Sequence, residues 1–277
     1  MQVKVFMQNN LNLFRKKVKT AIVKAAKSIG LGLVSYSELN RLRSLSAQRA
    51  GADLEFLKFL SPPIAGELIQ LISRSKSQIR QDLFVLAELK LKRNGYFVEF
   101  GAADGVNLSN SYILEMDFSW TGILAEPARV WQDKIKTNRP NSIIESNCVW
   151  KNSNEVLLFN ETNLAELSTI DSFSDLDSHI DYRKHGNKYE VSTISLNDLL
   201  EKHNAPRNID YLSIDTEGSE LDILSSFNFE KYNIKIITCE HNYGENREKI
   251  HSLLVNKGYE RKFESVSLFD DWYVKIT

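Results

Sequence analysis

Glycines and carboxylates are interleaved in Glu99-Phe-Gly-Ala-Ala-Asp-Gly105. Gly101 and Gly105, with Ala102 between them, permit backbone angles that other residues resist and let a ligand come close to the main chain. The glycines lie four apart with Asp104 between them, so the stretch is not the dinucleotide fingerprint GxGxxG. Asp104 near a helix start repels an anionic pyrophosphate, whereas a ligand carrying positive charge is favoured by Glu99 and Asp104. S-adenosylmethionine, with a sulfonium and an ammonium, has that charge. Glu126, 21 positions after Gly105 and followed by Pro127, stands where a carboxylate can accept hydrogen bonds from both ribose hydroxyls. Asn147, Cys148 and Val149 would then lie beside the adenine. Taken singly, the glycine turn can be no more than a tight connection, and Glu126 no more than a charge at a helix start.

A second group of residues suits the transfer itself. Methyl transfer from sulfonium to oxygen is an in-line displacement, which requires an aligned acceptor, excluded water and a way to remove the hydroxyl proton. Asp215 and the pair Glu240-His241 close two apolar runs, Ile209 to Asp215 and Ile234 to Glu240, and the carboxyl edges of an open α/β sheet face the ligand crevice. His241 has an imidazole that titrates near neutrality. Asp215, Glu217 and Glu240 offer oxygens for Mg²⁺ or a similar hard cation, with Asp215 and Glu240 as the first candidates. Other readings stand beside these. Glu217 and Glu220 sit where acids stabilise a helix N-terminus by about 0.3–1 kcal/mol, a lone histidine is often structural, and turn chemistry accounts for Asp270 and Asp271 as well as a place at the same edge does.

The elements that must position these groups alternate in period. Residues 79–92 read as a helix, 96–100 as a buried strand, 122–126 as a strand, 127–138 as a helix opened by proline and 142–149 as a strand. The runs 209–215 and 234–240 each feed a helix, near 217–227 and 246–256, and two strand-like runs, 259–268 and 272–276, close the chain as an antiparallel hairpin. This pattern predicts an α/β fold: a doubly wound, mostly parallel sheet over residues 79–277, preceded by a helical extension over 1–78. Residues 160–190 read as irregular and polar, either a substrate lid or a flexible connection.

With 26% charged residues and a formal net charge of -1, the chain lacks the broad positive field of a nucleic-acid binder. Its two cysteines, Cys148 and Cys239, have no CxxC spacing, and a reducing cytoplasm is expected. Lys4, Arg15, Lys16, Lys17, Lys19, Lys24 and Lys27 all precede the first acid, Glu38, and surround a helical stripe of Leu11, Phe14, Val18, Ile22, Ala25 and Ile29. Two readings follow for residues 1–35: peripheral contact with the anionic inner face of a membrane, or a helix packed on the domain or on a second copy of the chain.

The stretches Gly95 to Gly105, Leu108-Ser-Asn110, Trp120 to Pro127, Tyr211 to Glu220, Cys239-Glu-His-Asn242 and Asp270 to Tyr273 together resemble the FkbM family of methyltransferases. The resemblance runs over about residues 79–276, and its most specific word is Asp215-Thr-Glu-Gly-Ser-Glu220. It implies a class I methyltransferase fold and transfer to oxygen, commonly on a sugar, another glycan-like hydroxyl or a polyketide. By the same resemblance Gln81 and Asp82, and Asn107 to Asn110 including Ser109, line the cofactor pocket. The expected function is therefore an S-adenosylmethionine-dependent O-methyltransferase acting on a hydroxylated small molecule or glycan. The rivals are an NAD-dependent oxidoreductase on the same fold and a non-catalytic glycan-binding or scaffold module.

Overall fold

The computed structural model describes residues 36–175 and 180–276, together with Thr20; the basic amphipathic stretch expected over residues 1–35 otherwise lies outside the described residues. The chain falls into two compact units, residues 1–51 and 52–277. Helix α1 (Tyr36–Lys58) begins in the first and ends in the second. No helix among the described residues is long and apolar enough to cross a membrane.

In the larger unit, α2 (Pro62–Leu71) opens on two prolines, whose fixed φ and missing N–H suit a helix start. Then α3 (Gln81–Glu88) is shorter than the apolar period predicts. Arg80 takes a left-handed φ of 74°, and Lys90 and Leu91 take φ of 51° and 58°, so the chain turns at both ends of the apolar run. β1 (Tyr96–Phe100) has the predicted limits; α4 (Tyr112–Phe118) and β2 (Thr121–Ala125) follow. The helix expected from Pro127 starts late, with a 3₁₀ turn at Arg129–Trp131 and α5 at Gln132–Asn138.

The run 142–149, expected as one strand, is two. β3 (Ile143–Glu145) pairs with β2, while β4 (Cys148–Trp150) leaves for another sheet. The Glu145 carboxylate accepts from the Asn147 N–H at 3.0 Å, Lys202 Nζ at 2.7 Å and His203 Nε2 at 2.9 Å, which fixes the turn between them. The stretch read as irregular holds β5 (Val156–Glu161), β6 (Thr169–Ile170), the short α6 (Ile180–Arg183) and the start of β7 (Asn187–Ser195). α7 (Leu196–Lys202) is capped by Ser195, whose hydroxyl accepts from the Asp198 N–H. β8 (Asn208–Ile214), α8 (Glu220–Ser226), β9 (Asn233–Glu240), α9 (Arg247–Asn256), β10 (Tyr259–Lys262) and β11 (Asp270–Lys275) complete the unit. Asp270 and Asp271 therefore stand at the start of a strand rather than in the hairpin turn.

The central sheet has the order β10-β11-β9-β8-β1-β2-β3, parallel except where β11 pairs antiparallel with β9 and β10. A smaller sheet has the order β4-β7-β5-β6. Alternation along the strands sorts the core into two layers. Val98, Phe100, Ile123, Leu212 and Ile214 pack against α7, α8 and α9. Phe97, Leu124, Tyr211, Ile236 and Trp272 pack against α3, α4 and α5, with Phe56 from the end of α1 and Leu68 from α2. Phe84 is stacked on Trp272 at 4.7 Å and is fully buried. Phe84→Ala should therefore lower unfolding free energy by about 3–5 kcal/mol, read as a shift of the urea midpoint at unchanged slope.

Candidate active site

The carboxyl ends of β1, β2, β8 and β9 open into one cleft, and the smaller sheet supplies its opposite wall. The cleft has a volume of about 230 Å³, just below the roughly 300–1,000 Å³ of an ordinary small-molecule pocket.

At the end of β1, Gly101 takes φ 71°, and a Cβ there would lie 2.0 Å from the Asp215 carbonyl oxygen. The β1 and β8 turns can thus meet only with glycine at this position. Glu99, 2% exposed, accepts from the Asn110 N–H at 2.7 Å, from Ser109 Oγ at 3.0 Å and from Ser111 Oγ. Burial raises its pKa, opposed by the Arg139 guanidinium and these hydrogen bonds. Glu126 accepts from the Ala103 and Ala128 N–H groups, each at 2.8 Å, and burial pushes it up to about 7. Asn110 donates to Ser213 Oγ at 3.0 Å, while its buried Oδ1 has no partner. An acceptor left bare at the cleft fits a ligand ammonium, and Phe100, Ala125, Pro127, Cys148, Val149 and Ile170 offer an apolar wall for an adenine. The residues present therefore fit S-adenosylmethionine.

Glu99, Gly101, Asn110, Glu126, Pro127, Cys148 and Val149 line the cleft as the sequence suggests. Several other candidates stand behind it or beside it. Asp104 accepts from the N–H groups of Val106 and Asn107 and from Asn107 Nδ2, at 2.7–2.9 Å, so both residues shape their own loop. Gly105 lies against Arg139 and Ile135, Ala102 is in the core, and Ser109 links Glu99 to Arg139. Gln81 donates to Asp270 Oδ2 at 3.0 Å, and Asp82 is buried with Ser75 and Ser77. Asn147 sits in the turn held by Glu145.

Asp215, Glu217 and Glu240 come together in the cleft, each offering an oxygen within 4.8 Å of the others. Asp215 and Glu240 share a hydrogen bond. Burial pushes Asp215 up to about 6 and Glu240 well above the usual range, with the charge of Asp215 adding to the second shift. Glu217 is paired with Arg183 Nη2 at 2.7 Å. Glu220 accepts at 3.0–3.1 Å from the Gly218 and Thr216 N–H groups and so braces the loop that carries Asp215 and Glu217.

The structure does not bring His241 into this group. Glu240 faces the α3 side together with Thr238, and alternation sends the next residue the other way. His241 Nδ1 accepts from the Tyr243 N–H at 2.9 Å, Nε2 lies 3.6 Å from Asp271 Oδ1, and burial lowers the ring's pKa. Asp271 itself is held by Arg247 and Arg261. Leu108, within the Asn107 to Asn110 stretch, lines the cleft as expected, whereas Gln78, Phe159, Phe269, Asn242 and the wall Ala165 to Ser168 line it without having been expected from the sequence. Only Phe159 and Ile170 left a trace in the sequence, as apolar residues in the polar run that folds into the smaller sheet.

A parallel sheet with an antiparallel last pair, a glycine turn after its first strand and a carboxylate closing its second define a class I S-adenosylmethionine-dependent methyltransferase. The chain belongs to the FkbM methyltransferase family, whose domain model matches residues 99–274. No curated protein sequence matches it. Among solved structures it is similar to Aeropyrum pernix fibrillarin with natively bound S-adenosyl-L-methionine (12% identity, 72% of this chain and 74% of that one, TM-score 0.37). It is similar also to the human methyltransferase 10 domain containing protein (9%, 71% and 81%, 0.37) and to a TehB-like SAM-dependent methyltransferase from Corynebacterium glutamicum (9%, 76% and 96%, 0.35).

Glu126 makes the cofactor assignment testable through pH. Its folded pKa, about 7, lies above the usual 4.5, so its contribution to stability is fully present below 4.5 and is lost as pH rises through 7. Without ligand, the melting temperature of the wild type should therefore fall relative to Glu126→Gln between these limits. If Glu126 holds the ribose, S-adenosylhomocysteine affinity should do the opposite and strengthen as pH rises through about 7, because an ionised carboxylate can accept from both ribose hydroxyls. In Glu126→Gln calorimetry should find a flat profile and, above pH 7, binding weaker by about 1.5–3 kcal/mol.

Proposed function

We propose that this methyltransferase acts on a hydroxyl of a neutral, carbohydrate-like acceptor, with the Asp215–Glu240 carboxyl pair taking the hydroxyl proton. The observation that carries the reading is the cleft's charge. Among the described residues lining it are Glu99, Glu126, Glu166, Asp215, Glu217 and Glu240, and there is no lysine, arginine or histidine. Such a lining repels a phosphorylated or nucleic-acid acceptor, whose backbone charges need cationic partners, and leaves hydroxyls free to donate to carboxylates.

Bound S-adenosylmethionine supplies a methyl group on a sulfonium that leaves as a neutral thioether. The chain's part is to hold the acceptor oxygen in line, exclude water and receive its proton. Asp215 and Glu240 suit that last task, since two neighbouring carboxyl groups raised by burial can exchange a proton with a ligand. Glu217 is paired with Arg183 at 2.7 Å, beside the pair.

A second reading gives the same edge a divalent cation. Asp215 and Glu240, with Glu217, would supply oxygen ligands to Mg²⁺, favoured by the 4.8 Å limit on their spacing. The ion would supply a Lewis acid for the acceptor oxygen.

Turnover with methyl-labelled S-adenosylmethionine across neutral glycosides, lipid-linked sugars and RNA, with product mass and position determined, tests the proposal. A neutral sugar should be labelled and RNA should not. Asp215→Asn and Glu240→Gln should each lose about 10²–10⁴-fold in rate, with residual activity rising at high pH and S-adenosylhomocysteine affinity little changed. EDTA should leave the wild type active; silence restored by Mg²⁺ would select the metal reading. Near-normal turnover in both variants would remove the carboxyl pair from the chemistry.

A further inference from the structure

Arg183 ends the four-residue helix α6 and is 1% exposed. Its Nε donates to the Leu167 carbonyl oxygen at 2.9 Å, and its Nη2 donates to Glu217 Oε2 at 2.7 Å. Leu167 belongs to the cleft wall of residues 165–168, carried by the smaller sheet, whereas Glu217 belongs to the loop that follows β8 of the central sheet. The same seam is closed by Thr169 Oγ1, which donates to the Glu217 carbonyl oxygen at 2.9 Å, and by Phe173, whose side chain lies 3.1 Å from where a Cβ on Gly218 would be. Glu217 and Gly218 take φ of 58° and 124°, a backbone that persists only where its surroundings hold it. The adenosine reading rests on Glu126, Cys148 and Val149, at the end of β2 and on β4, and not on residues 165–168 or the 215–217 loop.

We propose that Arg183 is a positioning residue that latches the acceptor-side wall, residues 165–168, to the Asp215–Glu217 loop, so that acceptor recognition depends on it and cofactor binding does not. The proposal rests on the reading that the acceptor enters between wall and loop. A guanidinium suits the task because its planar fork reaches a carbonyl and a carboxylate at once, which an ammonium or an apolar side chain of similar volume cannot do in fixed geometry.

The test is amide hydrogen exchange on the full chain, with and without S-adenosylhomocysteine, for wild type, Arg183→Met, Arg183→Lys and Glu217→Gln. Arg183→Met should raise exchange in residues 165–168 and 215–219 together, by roughly tenfold or more, while S-adenosylhomocysteine affinity stays close to wild type. Arg183→Lys should recover part of the protection, and Glu217→Gln added to Arg183→Met should change little, as expected of two partners in one contact. With whichever acceptor the labelled panel identifies, Arg183→Lys should raise KM by more than it lowers kcat. Unchanged protection of both segments in Arg183→Met, or exchange raised evenly along the chain, would overturn the latch. If Arg183→Met fails to fold, Arg183→Lys and Glu217→Gln carry the same comparison, in weaker form, over the same two segments. Exchange needs no acceptor, so a panel in which no sugar is labelled would end the carbohydrate reading while leaving the latch to be decided separately.

Discussion

Carboxylates crowd the carboxyl edge of the central sheet, and each must be solvated by protein where water is scarce. The fold meets that demand with a separate device for each. Glu99 receives two hydroxyls and a backbone N–H, Glu126 receives two backbone N–H groups, Glu220 receives the loop N–H groups of Thr216 and Gly218, and Glu217 receives Arg183. Asp215 and Glu240 lie beside each other, and burial raises the pKa of both. Donated hydrogen bonds favour the ionised form of a buried carboxylate while burial opposes it, and at Glu126 burial prevails; two neighbouring carboxyl groups raised by burial are suited to exchanging a proton with a ligand.

The placement of those devices explains much of the architecture. Arg139, fully buried, donates to Glu115, to the Gly105 carbonyl oxygen, to Ser109 and to Ser111. Through the two serines it orders the loop that wraps Glu99. That loop carries Leu108 and Asn110 into the cleft while Asp104, Gly105 and Asn107 remain outside it. On the far wall, the smaller sheet arises because the chain leaves β3 after three residues and returns by β4 and β7. Its strands put Phe159, Ile170 and the 165–168 segment across from the carboxyl pair.

Strands buried on both faces were the most legible part of the sequence. Tyr96 to Phe100, Asn208 to Ile214 and Asn233 to Glu240 are short, mostly apolar runs, and a parallel sheet flanked by helices is the arrangement that buries them. Helix limits were less legible: 79–92 contracted to Gln81–Glu88 because left-handed residues at 80, 90 and 91 cut the apolar period. Beyond β4 the smaller sheet was not legible, since β5 exposes Val156 and Leu158 while burying Asn160, and β7 alternates Tyr189, Val191 and Thr193 with polar residues in a stretch that reads as a connection.

Residue order alone determined that Glu99, Gly101 and Glu126 lie at the ends of successive parallel strands, because strands joined by helical crossovers run the same way and so share one carboxyl edge. It also put Asp215 and Glu240 at neighbouring strand ends. Tertiary structure decided what the sequence left open: that Glu240 and not His241 faces the cleft, that Asp104 is consumed by its own turn, and that Arg183 reaches across to Glu217. Each of those outcomes depends on side-chain direction or on a contact between segments far apart in the chain, and neither is encoded in local spacing.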